Sequence, residues 1–159
     1  MIRKAAVLLV AVLTIAIPSG IASAAAHGTN RPFHATDVLT GPFTFPGTFD
    51  VSGPFRGTHI GNGTDTATLN EADPTFSFPS TITAANGDQI FTLAVHPAAP
   101  DPSVSCPSDY VGFRDPGAIT GGTGRFGGAT GSLVFTTCAT IDANGNLILI
   151  QDIVGTISY

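Results

Sequence analysis

The chain has 159 residues, with six basic and eleven acidic side chains, a net charge of −5, and no tryptophan. This length supports one domain with a real core. So few cations on an acidic chain exclude a surface built to hold the phosphate backbone of nucleic acid.

Met1 to Lys4 make a short cationic start, and Ala5 to Ile17 follow as an apolar run of thirteen residues closed by Pro18, Ser19 and Gly20. Small residues then offer cleavage sites at Ala22-Ser23-Ala24 and Ala24-Ala25-Ala26. The pattern predicts a signal peptide over residues 1–26 and a secreted, extracellular domain over residues 27–159. The run falls short of the about 20 residues needed to cross a bilayer, so no membrane span is expected after cleavage; an uncleaved anchor is the alternative. No cysteine follows the run, which argues against a lipid-anchored start. Cleavage removes Arg3 and Lys4, leaving Arg31, Arg56, Arg114 and Arg125 against eleven acidic groups, four against eleven, or −7.

The exported part reads as strands. Phe33 to Thr40 is a weak first one. From Phe43 to Val51 apolar odd positions alternate with polar even ones, and Phe76, Phe78, Ile82 and Ala84 repeat the pattern in the other parity. Such period-two alternation marks half-buried strands. Pro79 places the second of these at a sheet edge or bulge. Asn86-Gly87 and Asn144-Gly145 each separate two such runs and predict tight hairpins, since Asn and Gly both tolerate positive φ. Between the hairpins, Pro97, Pro100, Pro102 and Pro107 predict an irregular connection from His96 to Pro107, followed by a strand over Tyr110–Thr120. No exported stretch carries a helical apolar stripe. Seven or eight strands at hairpin spacing make the domain all-β, an antiparallel barrel or a sandwich.

Cys106 and Cys138 both lie in the exported part, where an oxidising compartment predicts a disulfide; the competing reading is a free reactive thiol. His27, His34, His59 and His96 lack metal-ligand spacing, so no metal is expected. Neither a phosphate-loop motif nor a G-x-S-x-G hydrolase signature occurs. Asn62-Gly63-Thr64 is a glycosylation sequon.

Gly122-Thr123-Gly124-Arg125-Phe126-Gly127 matches G-x-G-x-x-G, but a dinucleotide site needs a helix beginning at these glycines, whereas the residues from Gly128 to Ile141 read as a strand. No cofactor is expected. The wider run from Ile119 to Gly131 resembles the glycine-rich turn of the allene oxide cyclase and dirigent barrel superfamily. It is still closer to a group of small exported bacterial proteins, which share an early Thr-His pair like Thr58-His59, an Ala-Asn-Gly-Asp turn like Ala85–Asp88 and a terminal Gly-Thr-Ile-Ser-Tyr like Gly155–Tyr159. The likeness covers Phe55 to Tyr159. It implies an eight-stranded antiparallel β-barrel with a central cavity, in preference to the sandwich. In plant members that cavity cyclises an unsaturated fatty-acid epoxide or steers phenoxy-radical coupling. The shared motif is the turn and not the cavity, so no catalytic residue of the family is carried over.

Along Phe55 to Leu69 the odd positions form the more apolar face, which points His59 and Asp65 toward a lumen if no bulge intervenes; Gly61-Asn62-Gly63 is where one would fall. His59 is the candidate acid or base, against a structural role as a hydrogen-bonded core histidine. Arg114 beside Asp115 is a candidate for holding a polar ligand group, against a local ion pair at the strand end. Three functions are compatible with these features. One is a non-catalytic exported barrel binding a small apolar ligand or a partner surface. The others are a cyclase, isomerase or dirigent-type enzyme acting on an apolar substrate in the lumen, and a structural surface-associated protein.

Overall fold

A computed structural model describes residues 28–44, 47–70, 73, 77–96 and 99–159. The expected signal peptide and His27 lie outside the described residues, as do Phe45, Pro46, Phe76 and Pro97 of the segments above. Eight strands run in chain order: β1 (Arg31–Pro42), β2 (Thr48–Gly57), β3 (Gly61–Asn70), β4 (Ser77–Ala84), β5 (Gln89–Val95), β6 (Val111–Gly122), β7 (Gly131–Ile141) and β8 (Asn146–Ile157). Each pairs antiparallel with its neighbours, and β1 pairs with β8 from Arg31↔Ile157 to Pro42↔Asn146, closing the barrel. Closure removes the free sheet edges that a sandwich would have to protect.

Alternation sorts the side chains as a barrel requires. Phe33, Ala35, Asp37 and Leu39 of β1 are buried, while the residues between them are exposed. Two apolar clusters fill the interior. One includes Phe33, Phe55, Ile82, Ile90 and Ile153; the other includes Leu39, Phe49, Val51, Leu69 and Leu147.

The strand boundaries differ from the sequence reading in two places. The run Phe43–Val51 is not one strand: the chain turns between β1 and β2, and Phe43 packs edge-on against Phe49 with ring centroids 5.3 Å apart. The run Phe55–Leu69 is likewise broken at Thr58–Ile60, where Ile60 N–H donates to the Thr58 carbonyl at 2.8 Å and His59 takes φ 67°. Odd positions face inward in the strands on either side of both turns. That continuity hid the turns from a pattern of period two.

Both Asn-Gly hairpins form, with a different turn from the one expected. Gly87 and Gly145 have φ of 88° and 81°, but neither Asn86 nor Asn144 has positive φ. Gly87 N–H donates to Ala84 O at 2.9 Å and Gly145 N–H to Asp142 O at 3.0 Å. Each loop is thus a turn followed by one left-handed glycine, the longer hairpin connection. Pro79 sits past the end of the β3–β4 ladder, whose last pair is Ala67↔Ser80. The barrel wall is open along that short stretch, and a residue without an N–H costs no ladder bond on that side.

The glycine-rich run leaves β6, makes a single 3-10 turn at Gly124–Phe126 and enters β7, so no α-helix follows the glycines. Phe126 is fully buried and meets Tyr159 edge-on at 4.9 Å, stopping one mouth of the barrel. Gly124 has φ 57°, and a Cβ there would run into the Asp88 carboxylate.

The connection between β5 and β6 lies on the outer wall. Cys106 and Cys138 form a disulfide with a Cα–Cα distance of 5.7 Å. The Thr140 hydroxyl donates to Asp109 O at 2.8 Å and fastens the same loop.

Candidate functional site: a polar belt inside the barrel

Where β1, β7 and β8 pass from one apolar cluster to the other, each sends a polar residue inward: Asp37, Thr137 and Gln151. Asp65 on β3, Ser80 on β4, Thr92 on β5 and Asp115 on β6 complete a belt across the lumen. Three of these are aspartates with relative exposures of only 2–3%: Asp37 at 3%, Asp65 at 2% and Asp115 at 3%. A buried carboxyl needs a counter-charge, donors or a proton.

Asp115 finds a partner in His96, whose Nδ1 donates to its Oδ1 at 2.9 Å. The Thr137 hydroxyl lies 3.4 Å from the other oxygen and takes a 3.0 Å bond from the Gln151 amide. The His96 ring is packed between Phe78 and Phe113, with centroids 5.4 and 4.4 Å away.

Asp37 and Asp65 have far less support. Neither oxygen of Asp37 nor Oδ1 of Asp65 has a hydrogen-bond donor, and the charge of Asp65 acts on Asp37. Asp65 Oδ2 has the Ser80 hydroxyl at 3.4 Å, and that hydroxyl is also 2.9 Å from Thr92 Oγ1. Burial, then the charge of Asp65 and the hydrogen bond to it, pushes the Asp37 carboxyl up to about 8. Burial raises Asp65 to about 6, held back by hydrogen bonds from Ser80, the Thr66 backbone and Asp37. Two buried carboxyls that feel each other's charge and lack donors disfavour being ionised together.

A cavity of about 30 Å³ lies against this belt, lined by Asp65, Ser80, Thr92, Asp115 and Gln151. It has room for one water and none for an organic substrate. The arrangement can therefore hold and release a proton. Among the described residues no group of three or more His, Cys, Asp or Glu is placed to hold a metal ion.

Of the residues singled out from sequence, only Asp65 reaches the lumen. His59 does not: it occupies the β2–β3 turn, where its Nε2 donates to Pro32 O at 2.9 Å and its ring packs against Tyr159. The lumen placement assumed one continuous strand, and the turn at Thr58–Ile60 moves His59 to the barrel mouth. Its carbonyl there accepts a 2.7 Å bond from Arg125. Arg114 points outward and pairs with Asp101 at 3.5 Å, not with Asp115, which alternation sends to the opposite face. Asp37, Asp115 and His96 were missed. The first two were visible as carboxylates in the inward parity of their strands, beside Ala35 and Leu39 in β1 and before Gly117 and Ile119 in β6.

The outer wall carries a larger void, a groove of about 660 Å³ lined by Thr36, Val38, Pro54, Arg56, Ile150 and Asp152. Ser105 and Cys138 line it as well, so the disulfide-bound loop forms part of its wall. Comparison of the chain with protein-family models, with curated proteins and with solved structures finds no match.

Proposed function

We propose that the protein is an exported, non-catalytic β-barrel that binds a small apolar ligand on its outer wall. The observation that carries this is the contrast between the two voids, about 30 Å³ inside the barrel and about 660 Å³ in the outer groove. Ligand sites for small molecules occupy several hundred Å³, so an apolar molecule has no place in the lumen and a sufficient one outside. The groove has apolar contacts to offer in Pro54, Val38 and Ile150, the last two 42% and 38% exposed. Exposed branched residues in a concavity supply binding area that isolated surface residues do not. A cyclase or isomerase reading would require a substrate to be seated in the lumen beside Asp65, where the void is only about 30 Å³.

Export follows from the cationic start, apolar run and small-residue flank of residues 1–26, and the Cys106–Cys138 bridge is consistent with an oxidising compartment. Recovery of a chain beginning near Ala25 or His27 from the culture medium would establish it.

The binding reading is tested by thermal unfolding against a panel of lipids and terpenoids. Stabilisation by at least one member is expected. It should disappear in Val38→Glu and Ile150→Glu and persist in Asp65→Asn. No shift with any member, or a ligand found in the lumen, would overturn the reading, and the former would leave a structural surface protein as the better account.

A further inference from the structure

We propose that Asp37 and Asp65 form a proton-operated lock on the barrel: while they share a proton the β1–β2–β3 wall is closed, and when both ionise that wall loosens and admits water. The proposal assigns a role to the inward-facing carboxyl pair, although Asp37 also borders the outer groove.

Its basis is geometric. Asp37 lies on β1 and Asp65 on β3, so the pair spans β2. The residue of β2 in register with Asp65 is Gly53, which has no side chain, while Asp37 is in register with Phe55, two residues further along β2. Strand β2 runs so close to β1 here that a Cβ on Gly53 would strike the Val38 carbonyl. Three strands are thus held close at a point where two buried acids, on the strands either side of Gly53, have no base beside them.

The other strands bring no charge that could neutralise the pair. Facing it are the hydroxyls of Ser80 on β4 and Thr92 on β5, and beyond them Thr137 on β7 and Gln151 on β8. Asp115 on β6 is a third acid, and the one base touching the belt, His96, is committed to it. Arg31, Arg114 and Arg125 are engaged with Tyr159, Asp101 and Asp88, and Arg56 lines the outer groove. The β3–β4 ladder stops at Ala67↔Ser80, beside the cavity that Asp65 and Ser80 line, and this is where water would enter as the wall loosens.

The sign follows from proton counting. The folded chain holds the Asp37 proton from the ordinary carboxyl value of 3.8 up to about 8, a range in which the unfolded chain has released it. Stability is therefore greatest below that range and falls as pH rises through it. Between pH 6 and 8, where Asp65 has already lost its excess, one proton of difference lowers the folding constant about tenfold per pH unit.

Three measurements on the purified protein decide the matter: folding constants from denaturant titration at pH 5 to 9, amide exchange strand by strand, and the infrared carbonyl band of a protonated carboxyl. The lock predicts the tenfold-per-unit fall, a protonated band at pH 6.5 that vanishes by pH 9, and exchange that accelerates at least about tenfold in β1–β3 before β6–β8. Asp37→Asn, which keeps a donor for Asp65, should flatten the fall and abolish the selective exchange. A fall that persists in Asp37→Asn would overturn the proposal, as would exchange rising equally in all strands. Should Asp37→Asn fail to fold, the wild-type band and exchange still decide: absence of the band at pH 6.5 refutes the lock.

Discussion

His96 Nδ1 lies 2.9 Å from Asp115 Oδ1, joining a side chain that is 21% exposed to one that is 4% exposed. This is where the polar belt meets solvent. The imidazole stands between Phe78 and Phe113 as a stopper, and its hydrogen bond lets a carboxyl remain buried beside the apolar clusters. Pairing of this kind sets Asp115 apart from Asp37, which has only another acid.

Removing the histidine should therefore hurt more than its partial exposure suggests. His96→Ala leaves the Asp115 carboxyl without its 2.9 Å hydrogen-bond partner inside the barrel, and an unsatisfied buried polar group costs about 1–3 kcal/mol. The double variant His96→Ala/Asp115→Asn should recover part of that loss, because the uncharged amide is cheaper to leave unsatisfied. Guanidinium unfolding of the four members of the cycle measures the coupling; equal loss in the single and double variants would deny it.

The Cys106–Cys138 bridge closes a sequence separation of 32 residues. In the chain-entropy model, replacing both cysteines by serine costs about 3–4 kcal/mol. The bridge also holds the loop that walls the outer groove, so ligand affinity should fall in the variant even at temperatures where the barrel stays folded. Calorimetric unfolding with and without reductant, followed by ligand titration of the folded variant, separates the two effects.

Two left-handed glycines should respond differently to alanine. Gly87 has φ 88° with open space around a Cβ, so Gly87→Ala meets backbone strain alone, about 1 kcal/mol. At Gly124 the strain is joined by collision with the Asp88 carboxylate, which also faces Arg125 Nε at 3.5 Å. Gly124→Ala should cost roughly 2–3 kcal/mol and disturb the mouth where Phe126 packs. Thermal melts of the two variants compare them directly, and equal shifts would argue against the collision.

Acid should act on the opposite end of the pH scale from the lock. Asp142 caps the β7–β8 turn, and the backbone and side-chain amides of Asn146, then those of Asn144, hold its carboxyl below the ordinary range. A lowered value means stability that is present above the usual carboxyl range and lost as pH falls through the lowered one. Amide exchange in the Asp142–Gly145 turn should accelerate at low pH. In Asp142→Asn that acid sensitivity should be absent; an unchanged acid response in the variant would assign it elsewhere.

Much of this was legible because strand facing is a local property. Phe33, Ala35, Leu39, Val51, Ile82, Ile153 and Asp65 sit on the side their parity requires, and the glycines after Asn86 and Asn144 mark true hairpins. The same parity places Asp37 inward, although the sequence reading passed it over. It could not reveal the turn at Thr58–Ile60, since odd positions face inward in the strands on both sides of it, and so His59 was misplaced. Arg114 chose Asp101 over its chain neighbour because adjacent residues on a strand face opposite sides of the wall.

By itself, then, the sequence determined the all-β class, the inward parity of most strand residues, the places of the two Asn-Gly hairpins and the pair of cysteines. Each of these depends on residues a few positions apart or on side-chain chemistry. Only the tertiary structure decided that β1 closes on β8, that the lumen is filled, and that Asp37 and Asp65 are buried inside one barrel on the strands either side of β2. Those outcomes depend on the register of closure, which joins strands far apart in the chain, and no local pattern encodes it.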